Sequence, residues 1–373
     1  MELLIIEEES LGNIWDESIK DGSFSINGFI RLFSNTMESN PINSLYENDP
    51  SYIDSSHILP RLSSSIINNT KLESKIIDVY QENFIREIKR IGKYLKQYSY
   101  IGMDTEFPGV VYPCPTNSPD FYYQYIKANV DKLNLIQLGI TLTNSKGERP
   151  PNTSTWQFNL KFDKDKENHS TESISLLENC GINFNRAKNE GIPYDLFGEY
   201  LTVSGMVLNE NLTWISFNGL SDFAYLLKAL TGDNLPNTPE KFLEILKTYF
   251  PNAYDIKYLI NENEVYKGGL NKIAKELNIE RHGEVHQAGS DSLVTSQVFL
   301  KLIENNSINK NDLNFGKNVL FGIGIGADDS ETFSYTKFAP GLDISSLYHN
   351  INNNLSQKRQ IGMNNININN NIN

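Results

Sequence analysis

Two carboxylates, Asp104 and Glu106, close the run Tyr100-Ile101-Gly102-Met103-Asp104-Thr105-Glu106-Phe107. The run reads as a buried strand. Side chains alternate along a strand, so residues two apart face the same way. Neighbouring carboxylates repel unless a cation lies between them, and hard divalent cations take oxygen ligands. An Asp-x-Glu alone is weak, since an acidic chain of this length holds about one by chance. Two further acidic sites strengthen it. Asp222 follows the short apolar run Trp214-Ile215-Ser216-Phe217 and falls in the first turn of a helical run over 221–230. By itself it reads as a helix-start acid. Asp291 opens a second helical run over 292–300, and His286 precedes it by five positions across Ala288-Gly289-Ser290. That spacing lets the imidazole fold back toward Asp291, and a histidine beside bound metal is suited to deprotonate water. A lone histidine is more often a surface or structural residue. Four acids and one histidine, each at an element end, point to a metal-dependent site.

Three strands are predicted to position the first pair, over 99–106, 135–142 and 155–160. The turn Asn144-Ser145-Lys146-Gly147 and the pair Pro150-Pro151 separate the last two. Before them, Ile76, Ile77, Val79, Tyr80, Phe84, Ile85, Ile88, Ile91 and Leu95 repeat at helical spacing and predict one amphipathic helix. Later residues alternate helical patterns with short strands near 213–217 and 253–256. The expectation is an α/β fold, a mixed central sheet flanked by helices. The folded body is placed at 75–326. Residues 1–74 form an N-terminal extension without clean periodicity. The tail over 327–373 is Asn-rich, a composition that cannot bury a core and reads as disorder.

The charge balance narrows the partners. The net charge is −13 over 373 residues, unlike a protein that grips a long phosphate track. If the ligand is nucleic acid, few phosphates are contacted and metal ions supply much of the positive charge. Cys114 and Cys180 have no paired spacing. That favours a reducing compartment and rules out a cysteine-built zinc site. No apolar run is long enough for a membrane span, and Met1-Glu2-Leu3-Leu4-Ile5-Ile6-Glu7-Glu8-Glu9 is acidic where a signal peptide is basic.

The set Asp104-x-Glu106, Asp222, His286-x-x-x-x-Asp291 resembles that of the DEDDh exonucleases, whose fold is ribonuclease-H-like. The resemblance extends to the Caf/Pop-type deadenylases, the poly(A)-shortening subunits of the CCR–NOT complex. It is carried by Met103-Asp104-Thr105-Glu106-Phe107-Pro108-Gly109-Val110-Val111, Ser154-Thr155-Trp156-Gln157-Phe158-Asn159, Tyr254-Asp255-Ile256-Lys257-Tyr258-Leu259, Lys267-Gly268-Gly269-Leu270 and the stretch from His286 to Thr295. These lie in order across roughly residues 75–326. One departure stands out. Around the third acid this chain reads Trp214-Ile215-Ser216-Phe217-Asn218-Gly219-Leu220-Ser221-Asp222, with Asn218 where the family has His and Ser221 where it has an aromatic.

The resemblance implies a 3′-to-5′ exoribonuclease releasing 5′-AMP from poly(A) with two divalent ions, Mg2+ or alternatively Mn2+. Two such ions roughly 3.5–4 Å apart clamp an in-line displacement. It implies that Asp104 bridges both ions, that Glu106 and Asp291 complete the first site, that Asp222 holds the second ion mainly through water, and that His286 takes the proton from the nucleophile. Phe107 is a candidate for stacking on a substrate base, with a core role equally open. The implied partners are the poly(A) tail of mRNA, a helical scaffold subunit, a second deadenylase and RNA-binding adaptors, with no membrane. Localisation is expected to be mainly cytoplasmic, with nuclear presence through the complex. The competing readings are a scaffold or adaptor with weak activity and an exonuclease of broader nucleic-acid specificity.

Overall fold

The computed structural model describes residues 76–323, apart from 115–119, 262 and 264. The expected N-terminal extension and Asn-rich tail therefore lie outside the described residues. The strands are β1 (Ile76–Val79), β2 (Tyr100–Glu106), β3 (Gln137–Thr143), β4 (Thr155–Asn159), β5 (Thr213–Ser216) and β6 (Ala253–Asp255). The helices that matter most to the site are α1 (Phe84–Tyr94), α2 (Phe121–Val130), α3 (Thr171–Asn179), α4 (Phe184–Glu190), α5 (Tyr194–Val203), α6 (Leu220–Thr231), α7 (Pro239–Tyr249), α8 (Ile256–Leu259), α9 (Leu270–Glu276) and α10 (Ala288–Glu304). None of the described helices is long and apolar enough to cross a membrane.

The six strands form one sheet in the order β1-β4-β3-β2-β5-β6. β3 runs antiparallel to both its neighbours, and every other pairing is parallel. Counted from β2, the order 3-2-1-4-5 with the second strand reversed is the ribonuclease-H-like arrangement expected from the sequence. One expectation is corrected. Residues 76–79 are a strand beside β4, and the helix starts only at Phe84. Ile76, Ile77 and Val79 are β-branched and suit a pleated surface, and Tyr80 N–H is satisfied by Asn83 Oδ1 at 2.8 Å in the turn that follows. Ile85, placed on the apolar stripe, is 41% exposed.

The two sheet faces differ in kind. On one, Ile101, Met103, Leu138, Ile140, Leu142, Trp156 and Phe158 pack into the main core with α1, α5, α6 and α7. On the other, the alternating partners are small or polar: Gly102, Asp104 and Glu106 on β2, Gln137, Gly139, Thr141 and Thr143 on β3, and Thr155, Gln157 and Asn159 on β4. α10 lies on this second face at very short range. A Cβ on Gly139 would sit 1.8 Å from the Ala288 carbonyl oxygen, and one on Gly102 would sit 2.7 Å from Ser296 Cβ. Hydroxyls complete the seam, with Thr141 Oγ1 at 3.0 Å from both Thr155 Oγ1 and Ser292 Oγ.

The start of α10 is held by the sheet rather than by its own N-cap residue, Gln287, whose side chain makes no cap bond. Ala288 N–H donates to Gln137 Oε1 at 3.3 Å and Gly289 N–H to Gln157 Oε1 at 2.9 Å. These amides satisfy donors that a helix N-terminus leaves open. They tie α10 to β3 and β4, and so fix where Asp291 stands relative to β2.

Gly139→Ala is therefore expected to destabilise the fold by about 3 kcal/mol, the upper end of ordinary overpacking, because backbone rather than a flexible side chain must move. Urea unfolding measures this. A loss near zero would mean that α10 does not depend on the close approach.

Candidate active site

β2 and α10 bring together three of the residues singled out from sequence. Glu106, His286 and Asp291 each present a ligand atom, all within 4.8 Å of one another. Asp104 lies two residues before Glu106 on the same strand face and is 1% exposed. Its backbone pairs with Gly139, directly under the α10 start. His286 reaches the cluster because its backbone turns into the left-handed region, φ 59°. Its N–H then donates to Asp291 Oδ2 at 2.9 Å, so the segment 286–291 closes on itself.

Asp222 arrives from the opposite face, at the start of α6, and is 2% exposed. It lies in the first turn of α6, after the N-cap residue Gly219. Its Oδ1 accepts from Thr105 N–H at 2.9 Å and Thr105 Oγ1–H at 2.6 Å. Thr105 lies between Asp104 and Glu106, so the third acid is anchored to the very residue that separates the first two. Phe107 is half-buried, packed against the main core and stacked on Tyr225 with ring centroids 5.1 Å apart.

Four buried carboxylates at one sheet end repel one another. The donor set of carboxylate oxygens and one imidazole suits a divalent cation such as Mg2+ or Mn2+. Among the described residues, Asp104 Oδ2 and Glu106 Oε1 are buried oxygens with no hydrogen-bond donor, although both residues have other interactions. Acceptors of that kind fit coordination to a cation. The negative field reaches Cys180, which is half-buried. Burial pushes its thiol up, and Glu106, Glu284 and Asp291 push it further. A thiol held protonated in this way is a poor nucleophile.

Three supports of the site were not foreseen in the sequence. Thr105 holds Asp222. The amides of Gln137 and Gln157 hold α10, and Gln287 Nε2 continues that network to the Cys180 carbonyl at 2.7 Å. Asp255, wholly buried, accepts from the N–H groups of Asn218 at 2.8 Å and of Gly219, Lys257 and Phe321 at 3.0 Å each. Burial raises its pKa against those four bonds, which lower it. Thr105, Gln157 and Asp255 stood within recognised motifs, so that signal was available; Gln137 stood only within a predicted strand.

The sequence profile described as CAF1 family ribonuclease matches residues 79–196 and 201–299. The chain is 43% identical over 237 residues to CCR4-NOT transcription complex subunit 7 of Caenorhabditis elegans, covering 62% of this chain and 76% of that protein. It is 44% identical over 232 residues to the poly(A) ribonuclease pop2 of Schizosaccharomyces pombe, covering 61% and 69%. A solved structure of S. pombe Pop2p in Mg2+- and Mn2+-bound form aligns with TM-score 0.63 at 41% identity, covering 67% of this chain and all of that one. A chain from a structure of the yeast NOT1 MIF4G domain co-crystallised with CAF1 aligns with TM-score 0.56 at 32% identity, covering 66% of this chain and 96% of that one.

The Thr105 hydroxyl bond leads to a graded expectation. Thr105→Val keeps the shape and removes one donor to a carboxylate, which costs about 1.5 kcal/mol. Thr105→Ser keeps the donor and should lose much less. Equal losses in urea unfolding would assign the effect to packing instead.

Proposed function

The chain belongs to the CAF1 family of ribonucleases, and from that premise we propose that the cleft of Asp104, Glu106, Asp222, His286 and Asp291 is its catalytic centre. The protein is a 3′-to-5′ exoribonuclease that shortens poly(A) tails as a catalytic subunit of the CCR–NOT complex. The observation that carries the site reading is the convergence of Glu106, His286 and Asp291 within 4.8 Å, with Asp104 on the same face and Asp222 bonded to Thr105.

Each residue has a role that its position supports. Asp104, Glu106 and Asp291 would hold Mg2+ or Mn2+, with Asp222 at the second position. When bound, two divalent ions supply the positive charge that polarises a phosphodiester and acidifies water. His286 carries an imidazole nitrogen close to both Glu106 and Asp291, where it accepts the proton of the attacking water as a general base. Phe107, half-buried and stacked on Tyr225, follows Glu106 in the chain and would offer its ring to a terminal base, and stacking of that kind tolerates any base. The scaffold subunit and second deadenylase of the complex, with RNA-binding adaptors, would bring tails to a surface that attracts them little. The folded domain over 75–326, between an extension and a tail, and a mainly cytoplasmic pool belong to the same proposal.

Incubating 5′-labelled oligo(A) with Mg2+ or Mn2+ should give progressive shortening and 5′-AMP. Folded protein inactive with either ion would sink the enzymatic reading, and equal rates on mixed RNA and single-stranded DNA would sink poly(A) preference. Asp104→Ala should abolish turnover. His286→Ala should lose on the order of a hundredfold in rate while keeping its metal, as expected for a general base, with partial rescue at raised pH.

The net charge of −13 predicts a shallow salt dependence of oligo(A) binding, since few phosphates are neutralised. Affinity then comes from tethering, which raises effective concentration without new contacts. Binding measured with Ca2+ in place of Mg2+ tests this. A slope equivalent to about six phosphate contacts would contradict it.

A further inference from the structure

Arg281 lies outside the acid cluster, in the segment between α9 and α10, yet it grips the cluster from behind. Its Nη2 donates to Asp291 Oδ1 at 2.8 Å, and its Nη1 donates to Ser290 Oγ at 2.8 Å. Nη2 also bonds Asn271 Oδ1 on α9. Ser290 is wholly buried, and its own hydroxyl donates to the His282 carbonyl at 2.9 Å. With Arg281 on Oδ1 and His286 N–H on Oδ2, both oxygens of Asp291 have a fixed direction. The guanidinium is planar, so two neighbouring positions of α10 are held in one plane by one rigid fork.

A half-buried ion pair of this kind is weak evidence for stability, because desolvation offsets much of the attraction. The Arg281 side chain is 20% exposed and that of Asp291 7%. Orientation is the better account. Carboxylates that ligate metals are themselves held by hydrogen bonds, and those outer partners set affinity. We propose that Arg281 is a positioning residue for metal binding: its fork presents Asp291 to the divalent ion, beyond balancing the negative charge. This rests on the catalytic reading above. The two effects have opposite signs. A cation that only neutralises Asp291 competes with metal, and its removal tightens binding. A fork that orients Asp291 helps metal, and its removal weakens binding.

The test is Mn2+ binding to the full chain by titration calorimetry, with folding checked by circular dichroism. Arg281→Lys keeps the charge and loses the fork, and Arg281→Met loses both. Each is expected to weaken Mn2+ binding on the order of tenfold. In an Asp291→Asn background, Arg281→Lys should add nothing, since the residue acts through Asp291. If Arg281→Met does not fold, Arg281→Lys decides alone. Unchanged or tighter binding in a folded variant overturns the inference, as does full wild-type affinity in Arg281→Lys or an undiminished effect without Asp291. If the unaltered chain binds no Mn2+, the catalytic reading falls and takes this inference with it, whereas normal binding by the unaltered chain and its variants alike defeats the inference only.

Discussion

The approach of α10 to the sheet is the constraint on which the site depends. A helix carries side chains out to a diameter of about 10 Å, so it meets a sheet at backbone range only where the sheet has nothing to push it away. Gly102 and Gly139 supply that opening, and Ser292 and Ser296 return it from the helix. The contact is polar as well as small. Each buried hydroxyl and amide needs a partner, and the sheet and helix provide one another's. A Leu–Leu seam would hold the helix farther away and leave its first N–H groups open. Asp291 would then stand too far from Glu106 to share a cation.

Bringing four carboxylates together works against the fold, and the surroundings show how the repulsion is managed. Each acid has a donor or a position suited to a cation. Asp222 takes two bonds from Thr105. Asp291 takes one from Arg281 and one from His286. Asp104 and Glu106 keep buried oxygens with no hydrogen bond.

The parts legible in the sequence were those with local signatures. β2 was readable because its apolar residues and its acids alternate, although both its faces are covered. His286 and Asp291 were readable as a pair because their spacing lets the chain fold back, and the positive φ of His286 is how it does so. β1 was not readable. Its apolar residues lie in phase with those of α1, so one helical stripe covered both, and only pairing with β4, far along the chain, distinguishes them. The role of the amides at Gln137 and Gln157 was unreadable for a related reason, although Gln157 stood in a recognised motif: a glutamine that holds a distant helix looks the same in sequence as one that does not. Arg281 likewise gains its meaning from Asn271, Ser290 and Asp291 together.

The departures at Asn218 and Ser221 fall where Asp222 is set, and the structure explains why the acid tolerates them. Asp222 is located by the turn before α6, and that turn is held through its backbone. Asp255 receives the N–H groups of both Asn218 and Gly219, bonds indifferent to the side chain at 218. Asn218 stands at φ 58°, a conformation that Asn adopts more readily than most residues. A Cβ on Gly219 would meet Ser216 Oγ at 2.0 Å, so the turn is constrained at its glycine instead. Ser221 is buried beside Phe107 and Tyr225 around a small void, and the Tyr225 hydroxyl has no hydrogen-bond partner. A larger residue at 221 would fill space under Phe107 rather than move Asp222. The departure at Ser221 therefore bears on the packing under Phe107. The position of the carboxylate is left to Asp255 and Thr105.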